Sequence, residues 1–130
     1  MALAPHPQLN ALTSRIIGLA IEVHRTLGPG LFESVYQACL FYELQKSDLH
    51  VDTQKTVPVV YKDVKLDIGF RADAIVERIV IVEIKSLVTV APIHRAQVLT
   101  CLKLTGCQAG LLINFNVPVL KQGITRVLSK

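Results

Sequence analysis

The sequence predicts a mixed α/β fold: two helices, a three-stranded antiparallel meander, a crossover helix and a fourth, parallel strand. Three observations predict it. Residues 9–27 and 31–46 repeat apolar side chains at helical spacing. Three runs rich in Val, Ile and Thr then follow between residues 53 and 87, separated by short links. Last, a helix-like stretch, Pro92–Thr105, leads into a strand of apolar residues at 109–115. Short links make antiparallel neighbours, whereas a strand–helix–strand connection makes a parallel pair with a right-handed crossover. The element order is therefore ααβββαβ.

In residues 9–27, Leu12, Ile16, Leu19, Ala20, Val23 and Leu27 form the apolar stripe, and Gly28-Pro29-Gly30 ends the helix. In residues 31–46 the stripe is Leu31, Val35, Ala38, Cys39 and Tyr42, with Glu33 in the first turn, where the helix dipole favours a carboxylate. Residues 53–61 read as the first strand and Lys62-Asp63 as a turn. Residues 64–77 are the second strand, bent at Gly69, and 79–87 the third. Pro92 opens the crossover helix and Gly106 closes it. Residues 117–130 receive no assignment, since Gly123 argues against one long helix.

A chain of 130 residues fits a single domain spanning 1–130, with 1–8, which hold two prolines, as a frayed start. Its mean hydropathy of +0.44 has two readings, a sheet buried on both faces or an apolar patch covered by a partner. No apolar run approaches the roughly 18 residues of a membrane span, and the start lacks the layout of a signal peptide. The expected location is the cytoplasm, with no membrane partner. Cys39, Cys101 and Cys107 are odd in number and form no CxxC pair, so free buried thiols are expected rather than disulfides or zinc. The charge is uneven. Residues 1–83 carry 8 Lys/Arg against 10 Asp/Glu, while 84–130 carry six basic residues and no acid. A polyanion such as nucleic acid favours such a segment.

Chemistry concentrates between residues 70 and 85. The strands there are apolar on both faces, where a charge is costly unless it is paired or binds metal. Glu83 and Lys85 nevertheless interrupt the run two residues apart, on one face. Asp73 joins them only in one register. A three-residue loop, Glu77-Arg78-Ile79, opposes Val76 to Val80 and hence Asp73 to Glu83; a two-residue loop would oppose Asp73 to Val82 and dismantle the site. Two carboxylates at close range repel each other and favour a shared divalent cation. Such a cation can activate water and polarise a phosphoryl oxygen, with the lysine orienting the water or offsetting charge. An Asp–Lys–Glu ion cluster without catalysis is the plainer alternative.

Several segments together resemble one family. Gly30-Leu31-Phe32-Glu33-Ser34-Val35-Tyr36 is similar to the signature of the GxxExxY proteins. Phe70-Arg71-Ala72-Asp73 resembles their aromatic-R-x-D strand, Val82-Glu83-Ile84-Lys85 their V-E-x-K strand, and His94 to Gln97 their H-x-x-Q helix. The likeness runs from about residue 17 to 127, through Leu104-Thr105-Gly106 and the 110–116 segment. That family is grouped with the PD-(D/E)XK nucleases. The resemblance implies a restriction-endonuclease-like core and Mg²⁺-dependent (or Mn²⁺-dependent) hydrolysis of nucleic acid, DNA first. It further implies Asp73 and Glu83 as metal ligands with the Ile84 carbonyl, Lys85 assisting the attacking water, Glu33 as a further acid, and Gln97 beside the metal. The tyrosine often found four residues after that glutamine is Cys101 here. A catalytically silent nucleic-acid-binding or assembly module that keeps the fold is the alternative.

Four further residues are candidates for substrate contact, each with a plainer reading. Tyr36 lines the site or packs in the core. His94 touches phosphate, or is solvated or caps its helix. Arg71 touches phosphate or, as the favoured reading, pairs with Asp67 or Asp73. Arg95, beside His94, is the fourth. His24 reads as structural, and His6 and His50 as surface. Gly28-Pro29-Gly30 lacks the lysine and spacing of a phosphate loop. A homodimer is left open as a way for a small apolar domain to gain nucleic-acid surface.

Overall fold

The structure is a computed structural model that describes residues 7–129, with nothing stated for the side chain of Pro7. His6 and most of the expected frayed start lie outside the described residues; Pro7 and Gln8 already belong to the first helix. The elements are α1 (Pro7–Leu27), α2 (Glu33–Lys46), β1 (Val51–Tyr61), β2 (Val64–Val76), β3 (Val80–Lys85), α3 (Pro92–Thr105), β4 (Ala109–Asn114), a 3-10 turn (Leu120–Gly123) and β5 (Ile124–Leu128). One sheet takes them in the order β1-β2-β3-β4-β5. β3 and β4 are parallel and the other neighbours antiparallel. The order ααβββαβ therefore holds, with one strand added at its end.

Helices cover both faces. Ile16, Ala20 and Val23 of α1 and Tyr36, Leu40 and Leu44 of α2 share a core with Ala74, Val80, Val82, Leu111 and Ile113. On the other face Val98, Cys101 and Leu102 of α3 pack against Ile75, Ile81 and Leu112. All six residues of β4 are buried. Burial on both sides of the sheet accounts for the high mean hydropathy.

Two expectations need correction. The buried stripe of α2 is Tyr36, Leu40 and Leu44, while Leu31, Val35, Ala38 and Tyr42 are exposed. This helix is apolar nearly all the way round, so spacing admits two stripes. Docking on the sheet selects one of them. The second is β5. It has five residues, of which only Val127 is fully buried, too short for a period of two to stand out.

The turns follow local chemistry. Gly28 and Gly30 adopt φ of 72° and 96°. The Tyr36 hydroxyl donates to Gly28 O at 2.5 Å and accepts from Leu31 N at 3.1 Å, which fixes the approach to α2. Gly106, at φ 76°, ends α3 in the left-handed conformation. The β1–β2 ribbon breaks register between Pro58 and Val59, leaving Asp67 and Ile68 unpaired next to Gly69. The three cysteines are free; Cys101 and Cys107 are buried and Cys39 half-buried. His24 is buried, with Nε2 2.8 Å from Val117 O.

Candidate active site

The site is made where β2 and β3 part. Their ladder consists of Val76↔Val80, Ile75↔Ile81 and Ala74↔Val82, which requires the three-residue loop 77–79. Glu77 and Arg78 take left-handed φ of 52° and 57° to make it. The next opposed residues are Asp73 and Glu83, and here side chains replace the ladder. Ile84 N–H donates to Asp73 Oδ2 at 2.8 Å, and Asp73 N–H donates to Glu83 Oε1 at 3.3 Å. Each carboxylate thereby satisfies a backbone donor that the separating strands would otherwise strand. On β1, Gln54 lies across from Asp73 at φ 51° and drops out of the pairing, so the sheet is irregular on both sides of that aspartate.

A cleft of about 240 Å³ opens at this point, lined by Phe70, Arg71, Asp73, Glu83, Lys85, His94, Gln97, Val98 and Leu112. A larger cavity, about 380 Å³, lies at the far end of α3 and has no carboxylate in its lining. The cleft thus gathers six predicted residues: Arg71, Asp73, Glu83, Lys85, His94 and Gln97. Glu33, the first residue of α2, stands within electrostatic reach of Lys85, Asp73 and His94. Burial raises its carboxyl, and Lys85 opposes the rise.

Other candidates go elsewhere. Tyr36 is wholly buried and stacks on Phe115 with centroids 4.5 Å apart, so it belongs to the core, one of its two readings. Arg95 is exposed on α3 outside the cleft lining. His94 caps its own helix, Nδ1 accepting from Ala91 N–H at 3.0 Å. That leaves Nε2 carrying the proton when the ring is neutral. The ion pair favoured for Arg71 is absent, because no carboxylate lies within 4 Å of it among the described residues. Asp73 is held by Ile84, and the register break at Asp67 interrupts the alternation that would align it with Arg71.

Electrostatics mark Glu83. Burial, and then the charge of Asp73, push its carboxyl up to about 8, against the pull of the Asp73 N–H and Lys85. Near neutral pH it therefore keeps a proton beside an aspartate. Cys101, buried in α3 next to Glu83 and Cys107, has its thiol pushed up to about 12, chiefly by burial. It is an inert filler at the position of the missing phenol.

The donor set suits a hard divalent cation. Asp73 Oδ2 and Glu83 Oε1 each accept a backbone N–H, a side-chain hydrogen bond links the two carboxyl groups, and both residues line the cleft. The Ile84 N–H points into the gap between β2 and β3, and its carbonyl, on the same side of the strand, points there too. Among the described residues no three His, Cys, Asp or Glu side chains converge as a closed metal cage. Two carboxylates plus a carbonyl would leave positions for water and substrate on a divalent cation.

Sequence reasoning missed the residues that brace this arrangement. Asn114 Oδ1 accepts from Leu87 N at 2.9 Å and its Nδ2 donates to Leu87 O at 3.0 Å, so the segment after Lys85 is pinned to the end of β4. Asn116 Nδ2 adds a bond to the same carbonyl at 3.3 Å. Ser86 Oγ donates to Leu31 O at 2.6 Å and ties that segment to the approach of Glu33. The available signal was an Asn-x-Asn that begins at the last residue of an otherwise apolar strand.

The family model described as the PD-(D/E)XK nuclease superfamily matches residues 10–127. The chain belongs to that superfamily. The mixed sheet, with helices ahead of the strands and β3 parallel to β4, agrees with its fold. No curated protein and no solved structure matches the chain. Asp73 and Glu83-Ile84-Lys85, singled out in the sequence, stand at the point where the two strands separate. Among the described residues no helix is long and apolar enough to cross a membrane.

Proposed function

We propose that this PD-(D/E)XK protein is a divalent-metal-dependent nuclease that hydrolyses phosphodiester bonds of DNA, and that within the superfamily it stands with the GxxExxY proteins. One observation carries the reading: two carboxylates and a lysine share a cleft where the strand ladder has been given up to hold them. Asp73, Glu83 and the Ile84 carbonyl would hold Mg²⁺ or Mn²⁺. Such a cation would supply Lewis-acid polarisation of a phosphoryl oxygen and a water of lowered pKa. Lys85, whose side chain has no ion pair within 4 Å among the described residues, orients the attacking water and offsets charge developing on phosphorus oxygens. Arg71, equally unpaired, and the His94 Nε2–H draw the phosphate chain into the cleft. Glu33 carries a further acid to its edge, and Gln97 presents an amide from α3.

Cys101 supports a second reading, a catalytically silent nucleic-acid-binding or assembly module, since the helix lacks the phenol common at that position. Pairing of two copies belongs to the proposal as well. Val60, Tyr61, Val64 and Ile68 leave apolar surface exposed on the β1–β2 ribbon, and sedimentation would show whether a second copy covers it. The deciding experiment incubates the protein with single- and double-stranded DNA and RNA, with Mg²⁺, Mn²⁺ or EDTA, beside Asp73→Ala and Lys85→Ala. Metal-dependent cutting of DNA, lost in both variants, is expected. A folded protein that cuts none of the four substrates supports the silent module.

A further inference from the structure

Phe32 is unexplained by the fold. It occupies the cap position before α2, where Ser, Thr, Asp or Asn would satisfy the helix's free N–H groups. Its side chain makes no cap and is 83 % exposed. A phenyl ring left in water forgoes its burial energy, so neither capping nor packing accounts for it. Val88, 94 % exposed, and Ile93, 58 % exposed, are likewise unburied. The Ser86–Leu31 hydrogen bond joins the connection carrying Phe32 to the one carrying Val88. Immediate neighbours point to the cleft: Glu33 follows Phe32 and senses Lys85, Asp73 and His94, and His94, which lines the cleft, follows Ile93.

An exposed aromatic one residue before Glu33, near a cleft whose Arg71 and Lys85 have no ion pair among the described residues, matches a ligand whose units are part anion and part flat ring. Nucleotides have that make-up, and base–aromatic stacking is how proteins grip strands without reading sequence. Inside a duplex each base face is already covered by its neighbour, so away from a duplex end an exposed aromatic reaches only an unpaired base. We propose that Phe32 stacks on an unpaired nucleobase next to the phosphate held in the cleft, and that the substrate is single-stranded or locally unpaired nucleic acid. The inference rests on the nuclease reading above.

Binding separates the two. A DNA single strand containing 2-aminopurine, and its duplex form, are titrated with the protein in Ca²⁺ to prevent cutting. The variants are Phe32→Ala, Phe32→Leu, Phe32→Tyr, Arg71→Ala and Lys85→Ala, with thermal melts to confirm folding. Single-strand affinity should fall about ten-fold in Phe32→Ala and Phe32→Leu, with loss of fluorescence quenching, while duplex binding is unchanged. Phe32→Tyr keeps the stack and stays near wild type. Unaltered single-strand binding in Phe32→Ala, or an equal loss on duplex, overturns the stacking proposal. If Arg71→Ala and Lys85→Ala then still weaken binding, the nuclease reading survives without it. Absence of binding to either form by the wild type removes both.

Discussion

Glu83 holds its proton to about pH 8 because it is buried next to Asp73. In the unfolded chain it loses that proton near its ordinary value of 4.5. Between these limits the folded state binds the extra proton, so stability falls as pH rises through the window. Glu83→Gln keeps the Asp73 N–H acceptor and removes the ionisation. The variant should therefore gain stability over wild type as pH rises from 5 to 9, on the order of 1–3 kcal/mol, read by denaturant unfolding at each pH. A gain that does not change with pH would refute the assignment. The same proton must leave when a cation binds, so Mg²⁺ affinity should increase with pH up to about 8 and level off beyond it, measurable by calorimetry in two buffers of different ionisation enthalpy.

At the scale of elements, the site depends on loops that set register and on braces that hold strand ends. Glu77 and Arg78 both sit in left-handed backbone, which costs a non-glycine residue about 1 kcal/mol. Arg78→Gly should relieve this and raise the melting temperature by a few degrees, whereas Arg78→Val should lower it; both keep the 76↔80 pairing. Gly123 has the opposite sensitivity. A Cβ there would lie 2.1 Å from Asn114 O and 3.1 Å from Val117 Cγ2. Gly123→Ala should cost about 1–3 kcal/mol and loosen the Asn114 clamp on Leu87, lowering stability and cleavage together. Legibility varied among the elements. Pro92–Thr105 was read to the residue because proline and glycine punctuate it. The α2 stripe was misread because an all-round apolar helix offers two faces. β5 stayed hidden because its single deeply buried residue, Val127, gives no pattern.

For the whole molecule, a cation joining two repelling carboxylates should stabilise the fold by mass action, by about 2.7 kcal/mol at a hundred-fold excess over Kd. Thermal melts with Mg²⁺ or Mn²⁺ should shift upward in wild type and not in Asp73→Ala; equal shifts in both would locate the metal elsewhere. The acid-free C-terminal segment also gains meaning only here. Lys85 lines the cleft and Arg95 stands near its α3 end, while Lys103 sits at the opposite end of α3 and Arg126 binds Asn10 Oδ1 at 2.7 Å. Of these described side chains, Lys103 and Arg126 are thus not part of the cleft lining. Arg71, from the more acidic part of the chain, is part of it.

By itself the sequence determined the order of elements as far as β4 and the face shared by Glu83 and Lys85, because these follow from local periodicity and from turn residues near in sequence; of its two readings of the high hydropathy, the structure selected the sheet buried on both faces. The sequence also made Asp73 conditional on an odd loop. The tertiary structure alone decided that the loop has three residues, that the strands part after Ala74 and Val82, and that backbone N–H groups fix the carboxylates. It also decided that Tyr36 belongs to the core and that Phe32 is exposed. Those outcomes depend on contacts between segments 10 to 55 residues apart, such as Asp73 with Ile84 and Leu31 with Ser86, where no local preference discriminates.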